Sequence, residues 1–525
     1  MYVLSGVLLA IAVFRIIVVH IIENRLEEQA EQLRSRGIHL DYDDVSVGWL
    51  EPSIYISGLS AAGMTEKDSV FAVSVDQACI RRVRINDLLF RKNLMIDRLE
   101  LDQLSVMTKA GRKLPSDTAA RGKKKKSLKS VTISVIEFTD IHWRHYDAGD
   151  SLSMITSADQ FFMGGFRMND LSSPKLNYFF ETIQSGNLNF RSAKGQHVIS
   201  IDKIHYNELN EDLIFDHVRV TPLLDKEAFA RHFQKQVDRI TAYSKEVRFS
   251  KITFWDGGRF YIKARQMEFD FNLETYRNKT YPFARKKPIP MPHELLKKAG
   301  FPFDIDTLRI KNAFVAYEEM NKKNRDPGRI FFKDLNLQAI HFTNDSTYKY
   351  NKLHVTSHFM EHGAVDVEFY MPFDPAEKYW AKGNVSPFEL SELNSILKSS
   401  ALLGMKTGRL DTLNFFFKYD DTLATGSVEF AFSDLKMQAY KPKNTEKISL
   451  FKTLAINQLI RINDVKDAYL VGKIDYPRNP VRSVISYWWK SLLSGLKAAV
   501  IKDGAINPNR KKKGASNYDP DDDEE

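Results

Sequence analysis

The amino-acid sequence predicts a mainly β protein with a few helices, preceded by a transmembrane helix. The sheet is predicted by stretches in which apolar and polar residues alternate, and by an abundance of Tyr and Phe, with 21 and 35 residues. The membrane helix is predicted by Val3 to Ile22, a mostly apolar run of about 20 residues that is long enough to cross a bilayer core.

Composition sets the outer limits of the fold and of the function. The chain has 525 residues, enough for two or three ordinary domains or for one elongated one. Its net charge of +9 is the difference between 76 basic and 67 acidic residues, too mixed a balance to indicate nucleic acid. The single cysteine, Cys79, excludes an internal disulfide and leaves the redox compartment open.

The clearest strand pattern lies between Phe301 and Tyr440. Alternation with a period of two places apolar side chains on one face of a sheet and polar ones on the other, as in an antiparallel meander. The apolar face of such a sheet needs something to cover it. The alternating stretches are 335–339, 353–359, 365–371, 413–419 and 428–432.

The first segment, 1–22, is interpreted as an uncleaved anchor. Arg15 interrupts the apolar run close enough to its end to reach the headgroups. A cleaved signal peptide is the rival, but the segment lacks a basic start and small residues at its end. A buried core helix is a further alternative. Arg25, Arg34 and Arg36 follow the run and no basic residue precedes it, so the positive-inside rule by itself places the body in the cytoplasm.

The part that follows the anchor, 23–108, is predicted to begin with a helix and to continue as strands. The helix runs from Asn24 to Arg36, and Gly37 is a suitable C-cap. The next segment, 109–130, is rich in Lys and Arg and has almost no large apolar residue. It is predicted to be a solvated loop that acts as a linker or is attracted to anionic headgroups.

The middle segment, 131–285, is predicted to be β-rich around one long amphipathic helix over 223–244. The apolar stripe of that helix consists of Phe229, Phe233, Val237 and Ile240. A Pro-rich connector at 286–300 then marks a boundary.

The last β segment, 286–478, contains one predicted helix. Ser386 to Glu389 reads as a capping box with Pro387 at the first helical position, which starts a helix to about Lys398. An amphipathic helix is predicted over 480–502, and a charged, disordered tail over 503–525. The apolar face of the 480–502 helix either lies on a membrane surface or packs on the end of the sheet.

The segments 314–344 and 383–441 combine strands with a polar turn or a short helix, and in these motifs they resemble AsmA-like proteins, which are membrane-anchored periplasmic proteins related to bridge-like lipid transfer proteins. The segment "FVAYEEMNKKNRDPGRIFFKDLNLQAIHFTN" at 314–344 is similar to a recurring family unit in which a strand ending in tyrosine precedes a turn and a "G-x-I-x-F-x-x-L" strand. The segment 383–441 looks like the family's closing segment, except that Phe432 replaces the tyrosine of a "Y-x-D-L"-like strand. The spacing of Pro52 and Gly58 matches the start of the family's body.

The resemblance implies a long curved antiparallel sheet whose apolar groove carries lipid acyl chains. It also implies a single-pass inner-membrane protein of a Gram-negative bacterium, with its body in the periplasm, which supports phospholipid transport to the outer membrane and envelope integrity. The expected partners are membrane lipids, chiefly phospholipid, and envelope proteins, with no nucleic acid. The candidates for the lipid groove are Phe269, Phe271, Leu335, Leu337, Val367, Phe369, Phe415, Phe417, Phe430 and Phe432, and those for membrane contact are Arg15, Trp488, Trp489 and Leu492.

The sequence offers no residues on which to build catalysis or a cofactor site. It contains no nucleophile elbow, no zinc-protease motif and no phosphate-binding loop. His354, His358 and His362 are spaced four apart, but the alternation around them predicts a strand, on which they do not converge as metal ligands. We therefore expect no enzyme, no cofactor and no metal. The rival function is an anchored scaffold that assists outer-membrane protein assembly by pairing its edge strands with client chains.

Overall fold

The computed structural model describes residues 19–500 apart from a set of short gaps. Most of the predicted anchor, with Arg15, lies outside the described residues, as do 111–128 of the basic segment and all of the charged tail. In the part of the chain that is described, no helix is long and apolar enough to cross a membrane. The gaps are 25, 35–36, 49–52, 65–68, 85, 111–128, 170–176, 257–258, 285–286, 323–325, 346, 375, 442–443 and 460–468.

The chain divides into two compact units. The first unit comprises Met1–Leu223 and Ser250–Arg259, and it is built almost entirely of strands after the N-terminal helix α1, which is described at 19–24 and 26–34. Its strands are β1 (Ile38–Asp41), β2 (Asp44–Val47), β3 (Ser53–Met64), β4 (Ser69–Val83), β5 (Asn93–Asp102), β6 (Ser105–Lys109), β7 (Ser130–Tyr146), β8 (Leu152–Asn169), β9 (Asn177–Phe179), β10 (Thr182–Ser192), β11 (His197–Asn207), β12 (Asp212–Pro222) and β14 (Thr253–Asp256), with a π-helical turn at Asp87–Arg91.

The second unit comprises Leu224–Phe249 and Phe260–Glu525, and it adds helices to a similar set of strands. Its strands are β13 (Asp238–Ser250), β15 (Arg259–Phe269), β16 (Asn272–Asn278), β17 (Phe303–Met320), β18 (Gly328–Thr343), β19 (Tyr350–Phe359), β20 (Gly363–Pro372), β21 (Tyr379–Val385), β22 (Phe388–Glu389), β23 (Leu403–Tyr419), β24 (Leu423–Lys441), β25 (Asn444–Ile448) and β26 (Leu470–Pro477). Its helices are α2 (Lys226–Phe233), α3 (Pro292–Lys297), a 3-10 turn at Leu390–Leu393, α4 (Asn394–Ala401), α5 (Leu450–Leu459) and α6 (Val484–Val500).

The β-rich prediction is confirmed, but the sheet is mixed rather than antiparallel. Most neighbours in the chain pair as antiparallel hairpins, for example β7 with β8 and β23 with β24. Parallel pairs also occur among the described strands: β5 and β6 each pair with β7 in the first unit, and β15 and β16 each pair with β17 in the second. In both units, two short consecutive strands lie along one longer strand in the same direction, and the two units therefore share a local layout.

The predicted long helix over 223–244 is wrong, because only its first third is helical. Asp225 caps α2 by accepting a hydrogen bond from the Ala228 amide, and Gln234 then adopts φ 49°, which ends the helix in a left-handed residue. The chain continues as β13, paired with β16. The apolar residues over 229–240 fit a helical period by coincidence, since the β-branched and aromatic residues of 240–249 favour a strand that the pairing with β16 completes.

The predicted capping box at Ser386 is also wrong. The Ser386 hydroxyl accepts a hydrogen bond from the Ala364 amide of the neighbouring strand instead of capping a helix. Phe388 and Glu389 form β22, which pairs with β23, and the helix begins only at Asn394. Pairing with β23 thus outweighs a favourable local capping sequence. The helix predicted within 480–502 is confirmed as α6.

Bulges interrupt many of the long strands. Asn312, Asp334 and Asp434 have φ of 49°, 51° and 51°, and register shifts accompany the first two in the β17–β18 and β18–β19 pairs. A bulged residue bends its strand and increases the local twist. In a regular strand every second side chain faces inward. Across a bulge, the next inward side chain is the third residue along the chain instead of the second.

Candidate functional site

The predicted groove residues fall on one apolar face of the second unit. Residues opposite each other on paired strands share a face. Successive registers place one residue of each strand in a continuous line, which we call the second-unit row. It consists of Phe269, Ile310, Leu337, Val355, Val367, Gly383, Phe415, Val428 and Gly472.

The remaining groove candidates flank this row on the same face. Phe369 and Phe417 each oppose Ala381, and Leu335 opposes Ala313. Phe430 stacks on Phe432 with ring centroids 5.5 Å apart, and Phe271 lies 6.0 Å from Phe269. The structure thus brings together all ten candidates as one surface, which alternation in separate stretches could not show by itself.

One end of the second-unit row is a sealed core, contrary to the expectation of an open groove at these positions. Helix α6 packs on β20, β23, β24 and β26, and Phe417 and Val428 have exposed fractions of 1% and 0%. Trp488, Leu492 and Leu496 of α6 pack against this core. Val367, Phe369, Phe415, Phe417, Phe430 and Phe432 are therefore core residues or pack directly on the core.

The helix approaches the sheet closely because glycines face each other. A Cβ atom on Gly495 of α6 would lie 2.6 Å from Cγ1 of Val428 and 2.8 Å from Cγ1 of Ile474. The Tyr487 hydroxyl donates a hydrogen bond of 3.3 Å to the Asp420 carbonyl oxygen. Burial raises the pKa values of Tyr419 and Tyr487 above their ordinary range, as expected of phenols inside a sealed core.

The other end of the second-unit row is half-buried. Phe269, Ile310, Leu337 and Val355 each keep part of their surface accessible to solvent. These four residues lie on adjacent strands, and with strands spaced about 4.8 Å apart they form an apolar strip about 14 Å long. This strip is the part of the predicted groove that remains accessible.

The first unit has an equivalent line of apolar residues, which we call the first-unit row. Much of it is half-buried, with Ile136 and Tyr206 as buried members. Its second half runs over strands β8 to β12. The first-unit row consists of Val47, Ile54, Ile80, Leu99, Ile136, Met163, Ile183, Tyr206 and Leu213.

Helix α1 packs near the start of the first-unit row. Ile22 and Leu26 contact a cluster that contains Val45, Ile56 and Ala78. Ile54 and Leu101 are packed on the same cluster. In each unit, therefore, a helix covers one end of an apolar face, and half-buried residues continue along the strands beyond it.

The opposite face of the second unit is polar and carries the three histidines that the sequence had singled out. Each histidine meets a different carboxylate: His354 lies 2.9 Å from Asp366, His358 lies 3.3 Å from Asp334, and His362 lies 2.7 Å from Glu392. They are thus distributed along the face rather than gathered. A shallow cavity of ≈ 640 Å³ on this unit is lined by His354, Asp366, Glu368, Lys382, Gly383, Asn384, Asn414, Phe415, Phe416, Ser427 and Glu429.

The membrane-contact candidates of α6 do not share one environment. The ring centroids of Trp488 and Phe369 are 4.5 Å apart, and Trp488 and Leu492 both pack on the core. For these two residues, the structure shows the alternative in which the apolar face of the helix packs on the sheet. Trp489 is 41% exposed. Sequence analysis missed α5, whose Leu450 and Phe451 are 80% and 83% exposed. Its apolar residues at 450, 451 and 454 were the available signal.

The chain has no match among family models, nor among curated protein sequences.

Proposed function

We propose that the protein is a membrane-anchored, AsmA-like protein of the bacterial envelope that binds lipid acyl chains along its two apolar rows. Its role is then to support phospholipid transport between the inner and outer membranes, without catalysis or nucleic-acid binding. In this proposal the segment 1–22 holds the protein in the inner membrane, and the body lies in the periplasm of a Gram-negative cell.

The observation that carries the proposal is the half-buried part of the second-unit row. Phe269, Ile310, Leu337 and Val355 line up across four strands while their side chains remain partly accessible. An acyl chain lying across them gains about 25 cal/mol for each Å² of apolar surface removed from water. The polar headgroup can stay in solvent, so the strip needs no buried polar partner for it.

A charge in this strip tests the proposal. We expect Leu337→Asp in the full-length, detergent-extracted protein to lower the amount of co-purifying phospholipid several-fold, because a carboxylate is costly beside acyl chains. Quantitative mass spectrometry of bound lipid, normalised to protein, measures the effect. Gln338→Asp is the matched control, since Gln338 is the exposed neighbour on the same strand and points to the opposite face.

Three results are informative. Fixed-stoichiometry phospholipid that is lost only in Leu337→Asp supports acyl-chain binding. Equal lipid content in both variants contradicts it. A co-purifying client polypeptide in place of lipid would favour the scaffold function.

A further inference from the structure

Helix α5 is attached to the sheet by its polar side. The Asn457 side-chain oxygen accepts a hydrogen bond of 3.0 Å from the Met437 amide, and its side-chain nitrogen donates one of 2.9 Å to the Met437 carbonyl. The Thr453 hydroxyl accepts a hydrogen bond of 2.9 Å from the Ala439 amide. Strand β26 pairs with β24 only over Leu423–Phe430. Beyond that point, α5 side chains bind backbone groups of β24.

This attachment turns large apolar residues of α5 away from the protein. Leu450, Phe451 and Leu454 are 80%, 83% and 61% exposed, while Ile456 packs on the core. Single exposed apolar residues are common on protein surfaces, but three within little more than one helical turn form a continuous patch. Such a patch indicates a surface that contacts another apolar phase.

Exposed lysines accompany the patch. Lys452 lies within α5, Lys447 precedes the helix, and Lys441 ends β24; all three are exposed. Apolar residues flanked by lysines are the combination that holds a helix in the interface of an anionic bilayer, where the apolar side chains insert and the ammonium groups contact phosphate. The charges therefore favour an anionic partner over a neutral or basic one, and the continuous apolar patch beside them favours a lipid surface.

We propose that α5 is an interfacial docking helix that inserts Leu450, Phe451 and Leu454 into the surface of an anionic membrane. The proposal relies on the proposed function only in taking a lipid bilayer as the partner. It assigns membrane contact to α5, whose apolar residues are exposed, rather than to the face of α6 that carries Trp488 and Leu492.

A fluorescent label at Phe451 tests the docking helix in the full-length chain. The native Cys79 is buried, so Phe451→Cys in a Cys79→Ala background gives one accessible site for a polarity-sensitive fluorophore. The protein is reconstituted into phosphatidylcholine vesicles with or without phosphatidylglycerol. We expect a blue-shifted emission that lipids with brominated acyl chains quench at least several-fold more strongly when phosphatidylglycerol is present.

The controls separate insertion from general proximity to the vesicle. The same label at Leu209, which is 91% exposed on the first unit, should remain unquenched. Adding Lys447→Gln and Lys452→Gln should abolish the preference for phosphatidylglycerol. Replacing Leu450, Phe451 and Leu454 together by Ser should abolish insertion and leave the thermal midpoint unchanged, because these side chains are mostly in solvent.

Two results would overturn the proposal. The first is an unquenched label at position 451 on both kinds of vesicle. The second is a Phe451→Cys thiol that resists labelling in detergent solution, which would show that another part of the chain or a second copy covers the patch. Neither result would affect the measurement of phospholipid bound along the second-unit row. Failure of the docking helix is therefore distinguishable from failure of acyl-chain binding.

Discussion

Single residues set how closely α6 can lie on the sheet. Gly472 of β26 and Gly495 of α6 face each other, and a Cβ atom on Gly472 would overlap the Gly495 carbonyl. Here glycine is required by close approach and not by an unusual backbone conformation. The sealed end of the second-unit row therefore depends on the absence of two side chains.

We expect Gly495→Val to lower the free energy of unfolding by about 2–3 kcal/mol, because its side chain would overlap Val428 and Ile474. Urea unfolding followed by tryptophan fluorescence reports on this region through Trp488 and Trp489. Gly186→Ala is the matched control, since a Cβ at that strand position meets no atom within 4 Å. An unchanged midpoint in Gly495→Val would show that α6 does not pack as described.

Asp420 stabilises the β23–β24 turn through its charge. Its carboxylate accepts hydrogen bonds from the Thr422 hydroxyl at 2.6 Å and the Leu423 amide at 3.0 Å, and it lies 2.9 Å from the Lys378 ammonium. Burial alone would raise the pKa of Asp420, but the hydrogen bonds from Thr422 and Lys378 outweigh it and hold the pKa below the ordinary value.

The depressed pKa gives Asp420 a definite pH dependence. Because the folded pKa lies below the unfolded one, which is about 3.9, the stabilisation is complete above that pH and is lost as the pH falls below it. We expect Asp420→Asn to cost about 1–2 kcal/mol at neutral pH. The difference from the parent should shrink between about pH 4 and the acid limit of folding, as measured by urea midpoints. A difference that does not change with pH would contradict this role.

At the scale of elements, α6 divides one apolar face into a sealed part and an accessible part. Phe417 lies under the helix with 1% of its surface exposed, whereas Leu337 is half-buried on a strand beyond it. The two residues have the same place in the alternation of their strands, so their difference comes from what covers them.

That difference should appear in stability. We expect Phe417→Ala to lower the free energy of unfolding by about 3–5 kcal/mol, the usual range for a close-packed core. Leu337→Ala should cost less than about 2 kcal/mol, because only part of its side chain leaves water on folding. Chemical unfolding of the two variants measures both values. Equal, core-sized losses would mean that the strip at Leu337 is also closed.

The elements show where the sequence was sufficient and where it was not. Within uninterrupted stretches such as Leu335–Ala339, alternation identified the strand and its apolar side, because the side-chain period of a strand depends on local geometry alone. Helical signals in the sequence failed at Ile240 and Phe388, where pairing with another strand decided between helix and strand. Alternation also could not foresee that α6 would seal Phe417 and Phe430, since cover comes from residues far along the chain.

At the scale of the whole molecule, the two units repeat a single plan. Each has paired short strands running parallel to a longer one, an apolar row across its strands, and a helix over one end of that row. The half-buried apolar residues of the two rows are the surfaces that the proposed acyl-chain binding would use.

Photo-crosslinking can test whether both units contact lipid. We expect a photoreactive amino acid at Met163 in the first-unit row and one at Leu337 in the second-unit row to capture phospholipid in cells. The same amino acid at Gln160 and Gln338, which are exposed strand residues, should capture none. Mass spectrometry of the crosslinked protein identifies the adduct. Capture at one row only would restrict lipid binding to that unit.

The bulged residues have a consequence for how the chain can change in length. At Asn312, Asp334 and Asp434 the strand already contains a residue outside the regular ladder. Deleting one of them restores regular pairing locally, whereas deleting a residue between bulges turns every following side chain to the wrong face until the strand ends. Single-codon deletions should therefore be tolerated at these positions and selected against between them. Related chains can then differ in length at the bulges and still keep their apolar rows.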